Sequence, residues 1–281
     1  MRVAIVAHPY KPDAPVAVVR VRDSLLKKGI EVILEEETAK LVHEKGLADF
    51  SDQCDLVISL GGDGTLLETL HRIGPTDLPI AGVNIGTLGF LTACTDEEID
   101  SLSDHLASGE PNIVERSMLQ VEMIEESGNP RQFLALNEVV LMRGETGRLV
   151  SLEARVDGEI LNHYRADGLI VATPTGSTAY SMAAGGPLLG PHAGVFVITP
   201  ICPHSMSNRS LVVGDNSIIE LSPCGGGKEP ILFSVDGRDI LRIARESVVR
   251  VSRHPQTLRL VRLPGHSFYE TLRKKLHWHG G

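Results

Sequence analysis

The chain has 281 residues, 42% of them hydrophobic and 22% charged, the composition of a soluble globular protein with one large or two ordinary domains. A formal net charge of −9 excludes nucleic acid or an anionic membrane as the main partner, because both demand a basic face. The four cysteines, Cys54, Cys94, Cys202 and Cys224, lack paired metal-ligand spacing and read as reduced thiols of a cytoplasmic protein.

Residues 2–7 form a first apolar strand, too short for the core of a signal peptide. Pro9 and Pro12 end it, and Pro15 opens a helix in which Val18, Val21 and Leu25 share a face and Lys27, Lys28 and Gly29 mark the end. A second strand follows at 30–34, and the acidic run Glu35, Glu36 and Glu37 reads as a solvated edge. Residues 56–60 form a buried parallel strand that stops at Gly61-Gly62-Asp63-Gly64-Thr65, after which Leu66, Leu67, Leu70 and Ile73 recur at helical spacing. Another strand at 79–84 leads into a second glycine-rich turn at 85–91, and Thr95 with Glu98 makes a capping box before Ile99, Leu102 and Leu106. Strands alternating with helices up to about residue 108 predict an α/β domain with a parallel, doubly wound sheet.

From residue 112 the period changes. Leu119, Val121 and Met123 alternate with polar residues, as do Leu152, Ala154 and Val156, and Asp157-Gly158 then signals a hairpin. Further strands are expected at 169–172, 195–199, 218–221, 231–235 and 248–252, so the second half is mainly β. The segment 268–276 returns to helical character, with Arg273, Lys274 and Lys275 suited to a helix C-terminus. Residues 78–95 are uncharged and long enough to span a membrane, but Pro79, Asn84 and glycines at 82, 86 and 89 would leave polar groups unsatisfied in lipid.

Four stretches carry residues suited to chemistry. In Gly61–Thr65, three glycines permit positive φ and close approach of a ligand, and free N–H groups at the helix start favour a phosphate. The turn is not a Walker loop, since no Lys-Ser/Thr pair follows, and not G-x-G-x-x-G, since Leu67 replaces the third glycine. Asp63 is repulsive towards a phosphate unless it binds a metal ion, accepts a hydroxyl proton or bonds a sugar; serving as a helix N-cap is the alternative. Asn137-Glu138 interrupts the apolar run 133–142, where alternation puts one of the pair towards the core or a cleft, unless the strand is a wetted edge. Arg165-Ala166-Asp167-Gly168 precedes a strand and then the small, hydroxyl-rich segment 173–181, a surface suited to a sugar or an adenine. The run from 168 to 208 has no Asp, Glu, Lys or Arg and reads as a buried, turn-rich wall. In Ser234-Val235-Asp236-Gly237-Arg238 a hairpin turn is the plainer reading. His204 near Cys202, and His277 and His279 around Trp278, lack zincin or zinc-finger spacing, so no metal site is assigned to them.

Taken together, these motifs resemble those of the NAD kinases. The resemblance rests on GGDGT at Gly61–Thr65, Asn137-Glu138, DGLIVATPTGSTAYSMAAGGP at Asp167–Pro187, ICPHSMSNRSLVV at Ile201–Val213 and FYETLRKKLHW at Phe268–Trp278. GGDGT alone is shared with phosphofructokinases and lipid kinases, whereas TPTGSTAYS discriminates.

The resemblance implies phosphorylation of the adenosine ribose 2′-hydroxyl of NAD by ATP or polyphosphate, giving NADP, with a divalent metal ion, Mg²⁺, accompanying ATP. It implies an α/β domain at about 1–110, with a C-terminal helix at about 264–281 folding back on it, a β-rich domain at about 111–263, and the active site in the cleft between them. Carried across, Asp63 is the catalytic base or metal-linked residue, and Gly61, Gly62, Gly64 and Thr65 cradle phosphate. Asn137, Glu138, Asp167, Thr178, Ala179, Tyr180, Ser181, Met182 and Ala183, with Asp63 and Gly64, hold the dinucleotide. Arg148 and Arg165 are the cations that would offset phosphate charge, and Asp167 would meet a ribose hydroxyl or orient Arg165. The family often has Gln where this chain has Arg238, and its members are commonly homodimers or homotetramers. A lipid kinase on the related scaffold, or a non-catalytic dinucleotide sensor, is the rival reading.

Overall fold

The structure, a computed structural model, describes residues 1–278 apart from 87, 126, 127, 129, 146 and 228. The chain divides into two compact units, Met1–Glu115 with Leu258–Gly281, and Arg116–Thr257.

The first unit opens with β1 (Arg2–Ala7), α1 (Ala14–Lys27), β2 (Glu31–Leu34) and α2 (Glu36–Leu41). Next come β3 (Leu56–Gly61), α3 (Asp63–Ile73), β4 (Ile80–Asn84), β5 (Cys94–Thr95), α4 (Ile99–Ala107) and β6 (Ile113–Arg116). A proline in its first turn starts α1, which buries Val18, Val21 and Leu25, and Gly29 at φ 75° follows its end. The Thr95–Glu98 capping box forms ahead of α4, which buries Ile99, Leu102 and Leu106. Strand β1 pairs in parallel with β2 on one side and β3 on the other, and β3 pairs in parallel with β4. Chain order therefore reverses direction across the sheet between β1 and β3, the switch point at which open α/β sheets bind ligands beyond the carboxyl ends of their strands.

The acidic run departs from its reading as a solvated edge. Glu35 is buried and caps α2, accepting from the N–H groups of Glu37 and Thr38 at 2.8 and 2.9 Å, with Arg72 at 2.6 Å. Only Glu36 and Glu37 are exposed.

The second unit is a sandwich of two antiparallel sheets. Its strands are β7 (Leu119–Ile124), β8 (Arg131–Ala135), β9 (Glu138–Arg143), β10 (Val150–Val156), β11 (Glu159–Ala166) and β12 (Gly168–Ala172). After the short helix α5 (Tyr180–Ala183) come β13 (Val195–Ile201), β14 (Leu211–Gly214), β15 (Ile219–Pro223), β16 (Ile231–Val235), β17 (Arg238–Ile243) and β18 (Val248–Arg253). One sheet has the order β11-β10-β15-β18-β7-β8, the other β14-β13-β12-β9-β16-β17. Alternating residues of both, among them Val121, Leu152, Leu221, Leu141, Val171 and Phe233, fill the core between them. The second sheet is also covered on its outer face, where Ala184 and Leu189 pack on Val140, Ile170 and Val197. Burial on both faces explains why β12 reads as a continuous apolar run rather than an alternating one.

The chain then returns to the first unit as β19 (Leu258–Val261), which pairs in parallel with β4, and α6 (Phe268–Lys275). Strand β6 lies beside β19 at the sheet edge, so the first sheet draws strands from both ends of the chain.

Candidate active site

In the first unit, loops following β1, β3 and β4 meet at the carboxyl ends of these strands. Gly62 is the N-cap of α3, which begins at Asp63, three residues before Leu66, the first position of the apolar spacing. None of Gly61, Gly62 and Gly64 has positive φ, so the glycines serve space rather than backbone conformation. A Cβ on Gly61 would collide with the Thr65 side chain, whereas Gly64 has open space around it. The turn thus presents bare backbone and the first N–H groups of an 11-residue helix, a surface suited to an anion.

Asp63 is half-buried and does not cap its own helix. Its carboxylate spans to the second glycine-rich turn, accepting from Phe90 N at 2.9 Å and Leu91 N at 3.0 Å. A Cβ on Gly89 would strike that carboxylate, which accounts for the glycine there. Each oxygen of Asp63 accepts one of these amides and has a further lone pair for a proton or a metal ion. The second turn is braced by α6, where Phe268 packs on Phe90 at 6.0 Å and the Lys275 ammonium lies 5.3 Å from the Phe90 ring centre. A cavity of about 460 Å³ beside it is lined by Leu88, Thr271, Lys274, Lys275 and His277.

Sequence reasoning missed Lys11. Its ammonium donates to the carbonyls of Gly61 at 2.7 Å and Ile85 at 3.1 Å, placing a cation at both glycine-rich turns. The signal available was a lone basic residue in the loop after the first strand, beside the sheet's switch point.

In the second unit, the run 133–142 is not one strand. It leaves the first sheet of the sandwich at Ala135 and enters the second at Glu138, with Leu136 and Asn137 forming the kink. The segment after β12 packs against this kink. Thr173 donates through its hydroxyl to Leu136 O at 2.5 Å and through its N–H to Asn137 O at 2.9 Å, and Gly176 sits where a Cβ would collide with the Asn137 backbone. Glu138 is only 5% exposed, and its Oε2 has no hydrogen-bond partner. Burial, reinforced by the charge of Asp236 and opposed by the Tyr180 N–H, pushes its pKa up to about 8, which favours the protonated form.

The hydroxyls of 173–181 are mostly turned inward. Ser177 donates to Pro174 O at 2.6 Å, Thr178 to Thr175 O at 3.0 Å, and Ser181 shares a hydrogen bond of 2.9 Å with Thr199. They shape the turn, and the surface they leave consists of Thr178, Ala179, Tyr180, Met182 and Ala183, each exposed or half-buried. Tyr180 is 39% exposed, so core packing does not explain its ring. Burial raises its phenol pKa, with help from the charges of Cys202, Asp167 and Glu138.

The arginines fall differently from expectation. Asp167 pairs with Arg143 at 2.5 Å, a residue that sequence reasoning passed over, while Arg165 is exposed on β11. Arg148 has an 80% exposed side chain and pairs with Glu229 at 3.1 Å. Asp236 and Gly237 form the expected hairpin turn, at φ 48° and 71°, followed by Arg238. His204 is exposed, and His279 lies outside the described residues.

Comparison with known proteins identifies the family. The ATP-NAD kinase N-terminal domain matches residues 3–111, and the ATP-NAD kinase C-terminal domain matches residues 136–263. The chain is 39% identical over 277 residues to the NAD kinase of Symbiobacterium thermophilum, covering 97% of this chain and 98% of that one. It is 37% identical over 290 residues to that of Christiangramia forsetii, covering 99% and 98%. Among solved structures, yeast NADH kinase complexed with NADH superposes with a TM-score of 0.91 at 27% identity, covering 100% of this chain and 89% of that one. An NAD kinase from Archaeoglobus fulgidus in complex with ATP does so with a TM-score of 0.76 at 25% identity, each chain covered in full. The chain belongs to the ATP-NAD kinase family.

Proposed function

We propose that the chain transfers the terminal phosphoryl group of ATP, or of polyphosphate, to the 2′-hydroxyl of the adenosine ribose of NAD, giving NADP. The observation that carries this reading is Asp63, a half-buried carboxylate next to the open backbone of Gly64 at the carboxyl ends of β3 and β4, in a chain matched by both family domains. Donor phosphates lie on the bare turn Gly61–Thr65, where the α3 N-terminus and the Lys11 ammonium face them with positive charge. Asp63 accepts the proton of the attacking hydroxyl as its oxygen bonds to the terminal phosphorus and the bond to the leaving phosphate breaks. Asn137, Glu138 and the surface formed by Thr178, Ala179, Tyr180, Met182 and Ala183 hold the dinucleotide, with Tyr180 as its apolar wall. Asp167, held by Arg143, is available to a ribose hydroxyl.

Among the described residues no group of three or more His, Cys, Asp or Glu is placed to hold a metal ion. Mg²⁺ is commonly bound through one or two carboxylates together with substrate phosphates, and Asp63 is the carboxylate that would hold it in this reading. When bound, it supplies neutralisation of the phosphate charge.

Among the described residues no helix is long and apolar enough to cross a membrane. A cytoplasmic homodimer or homotetramer is the assembly this reading carries, and light scattering on the purified chain measures it. The activity is tested by incubating the chain with ATP or polyphosphate, Mg²⁺ and NAD, NADH or diacylglycerol in separate arms. NADP or NADPH as product supports the proposal; phosphatidic acid, or no phosphorylated product in any arm, overturns it.

A further inference from the structure

The kink at Leu136 and Asn137 sets an accounting problem for the backbone. A chain leaving one sheet for another loses ladder partners for the amides at the crossing, and buried amides require partners. The carboxylate of Asp236 meets the need: Oδ2 accepts from Leu136 N at 2.9 Å, and Oδ1 accepts from Asn137 N at 2.8 Å and Glu138 N at 3.0 Å. Its own N–H returns a hydrogen bond to Glu138 O at 2.9 Å. The residue that does this is 8% exposed.

The hairpin does not explain this carboxylate. Asn-Gly suits a two-residue turn with positive φ at both positions as well as Asp-Gly does. Asn has a single acceptor oxygen, however, and three amides spread over two oxygens call for an acid. We propose that Asp236 is a positioning residue of the acceptor site, locking the sheet crossing so that Asn137 and Glu138 are presented to the dinucleotide before it binds. The proposal rests on the functional reading above, and wild-type NADP formation in the same assay keeps the failure of one separate from the failure of the other.

A second effect follows from the charge. Among the described residues, Asp236 from the β16–β17 turn and Tyr180 from α5 are the titratable groups coupled to Glu138, and Tyr180 in turn feels Cys202 and Asp167. Asp236 thereby helps hold Glu138 neutral, with an O–H to donate to a sugar or amide oxygen.

The test is Asp236→Asn, which preserves the turn. The expected result is a KM for NAD raised about tenfold or more with kcat within about threefold, as expected when a pre-set binding geometry is lost. The high-pH decline of kcat/KM for NAD should also move to lower pH. A variant with unchanged KM and pH profile, altered only in melting temperature, would reduce Asp236 to a turn residue and overturn the proposal. Hydrogen exchange on the wild type gives a reading that does not depend on the variant folding. The amides of Leu136, Asn137 and Glu138 should exchange as slowly as those of the rest of β9 without NAD, and adding NAD should leave them unchanged. Fast exchange that slows only with NAD would show that the ligand, not Asp236, orders the crossing, and would also overturn it.

Discussion

The ammonium of Lys11 donates to the carbonyl of Gly61 at 2.7 Å, fixing a cation at the end of β3 from a loop that leaves β1. Two backbone carbonyls take part of its hydrogen-bonding capacity and a third N–H remains for a phosphate oxygen. Lys11→Met should therefore raise the KM for ATP about tenfold, the lower end of what a charged hydrogen bond contributes, with a smaller change in the KM for NAD. Lys11→Arg should retain most of the affinity. Initial rates with ATP varied at saturating NAD check this; an unchanged KM for ATP in Lys11→Met would confine the lysine to bracing the two turns.

Glu138 gives a pH signature. Its folded pKa, raised to about 8 from 4.5, means that the native state holds one proton more than the unfolded chain between those values. The stability associated with this proton is complete below the unfolded value and is lost as pH rises through the folded one. Replacing it by Gln removes the titration, so the stability of Glu138→Gln relative to wild type should improve with rising pH across that window, by at most about 1.4 kcal/mol per pH unit. Urea unfolding at pH 5, 6.5 and 8 measures it, and parallel stabilities at all three would contradict the assignment. Because Gln keeps a donor and an acceptor, its kcat/KM for NAD at pH 7 should stay within about tenfold of wild type, while Glu138→Ala loses more.

Tyr180 separates binding from folding. With 39% of its surface exposed, truncation to Ala should change the melting temperature by only about 2 °C while raising the KM for NAD several-fold. Thermal melting and steady-state kinetics on one preparation check it, and a large fall in melting temperature with normal NAD use would assign the ring to packing.

How far these features were legible in the sequence follows from how local their causes are. The apolar spacing of Val18, Val21 and Leu25, or of Leu66 and Leu70, reports a helix face directly because burial repeats every turn. The Asp157-Gly158 and Asp236-Gly237 turns are equally local, set by residues that tolerate positive φ. Glu35 was misread because its partners, the helix it caps and Arg72 37 positions away, are invisible in a run of three acids. The break in the 133–142 run was hidden for the same reason: apolar residues on both sides of Asn137 look like one strand, and what turns the chain is a carboxylate 99 positions away. The motifs singled out the segment 173–181, but not that its Thr173, Ser177, Thr178 and Ser181 hydroxyls are engaged inside the protein, two within their own turn and two with Leu136 and Thr199.

Asp63 bears the central claim, and its two amide partners set the terms of the test. Asn at this position can still accept from one of Phe90 N and Leu91 N, so Asp63→Asn should lose about 1 kcal/mol of stability and remain folded. What it loses entirely is the charge proposed to take the hydroxyl proton. The decisive measurement is the rate of NADP formation by Asp63→Asn beside its NAD affinity by calorimetry on the same preparation. The expected result is a kcat lowered about 10²- to 10⁴-fold with NAD binding within about threefold of wild type. NADP formed at the wild-type rate would contradict the catalytic role and leave Asp63 as the staple between two glycine-rich turns.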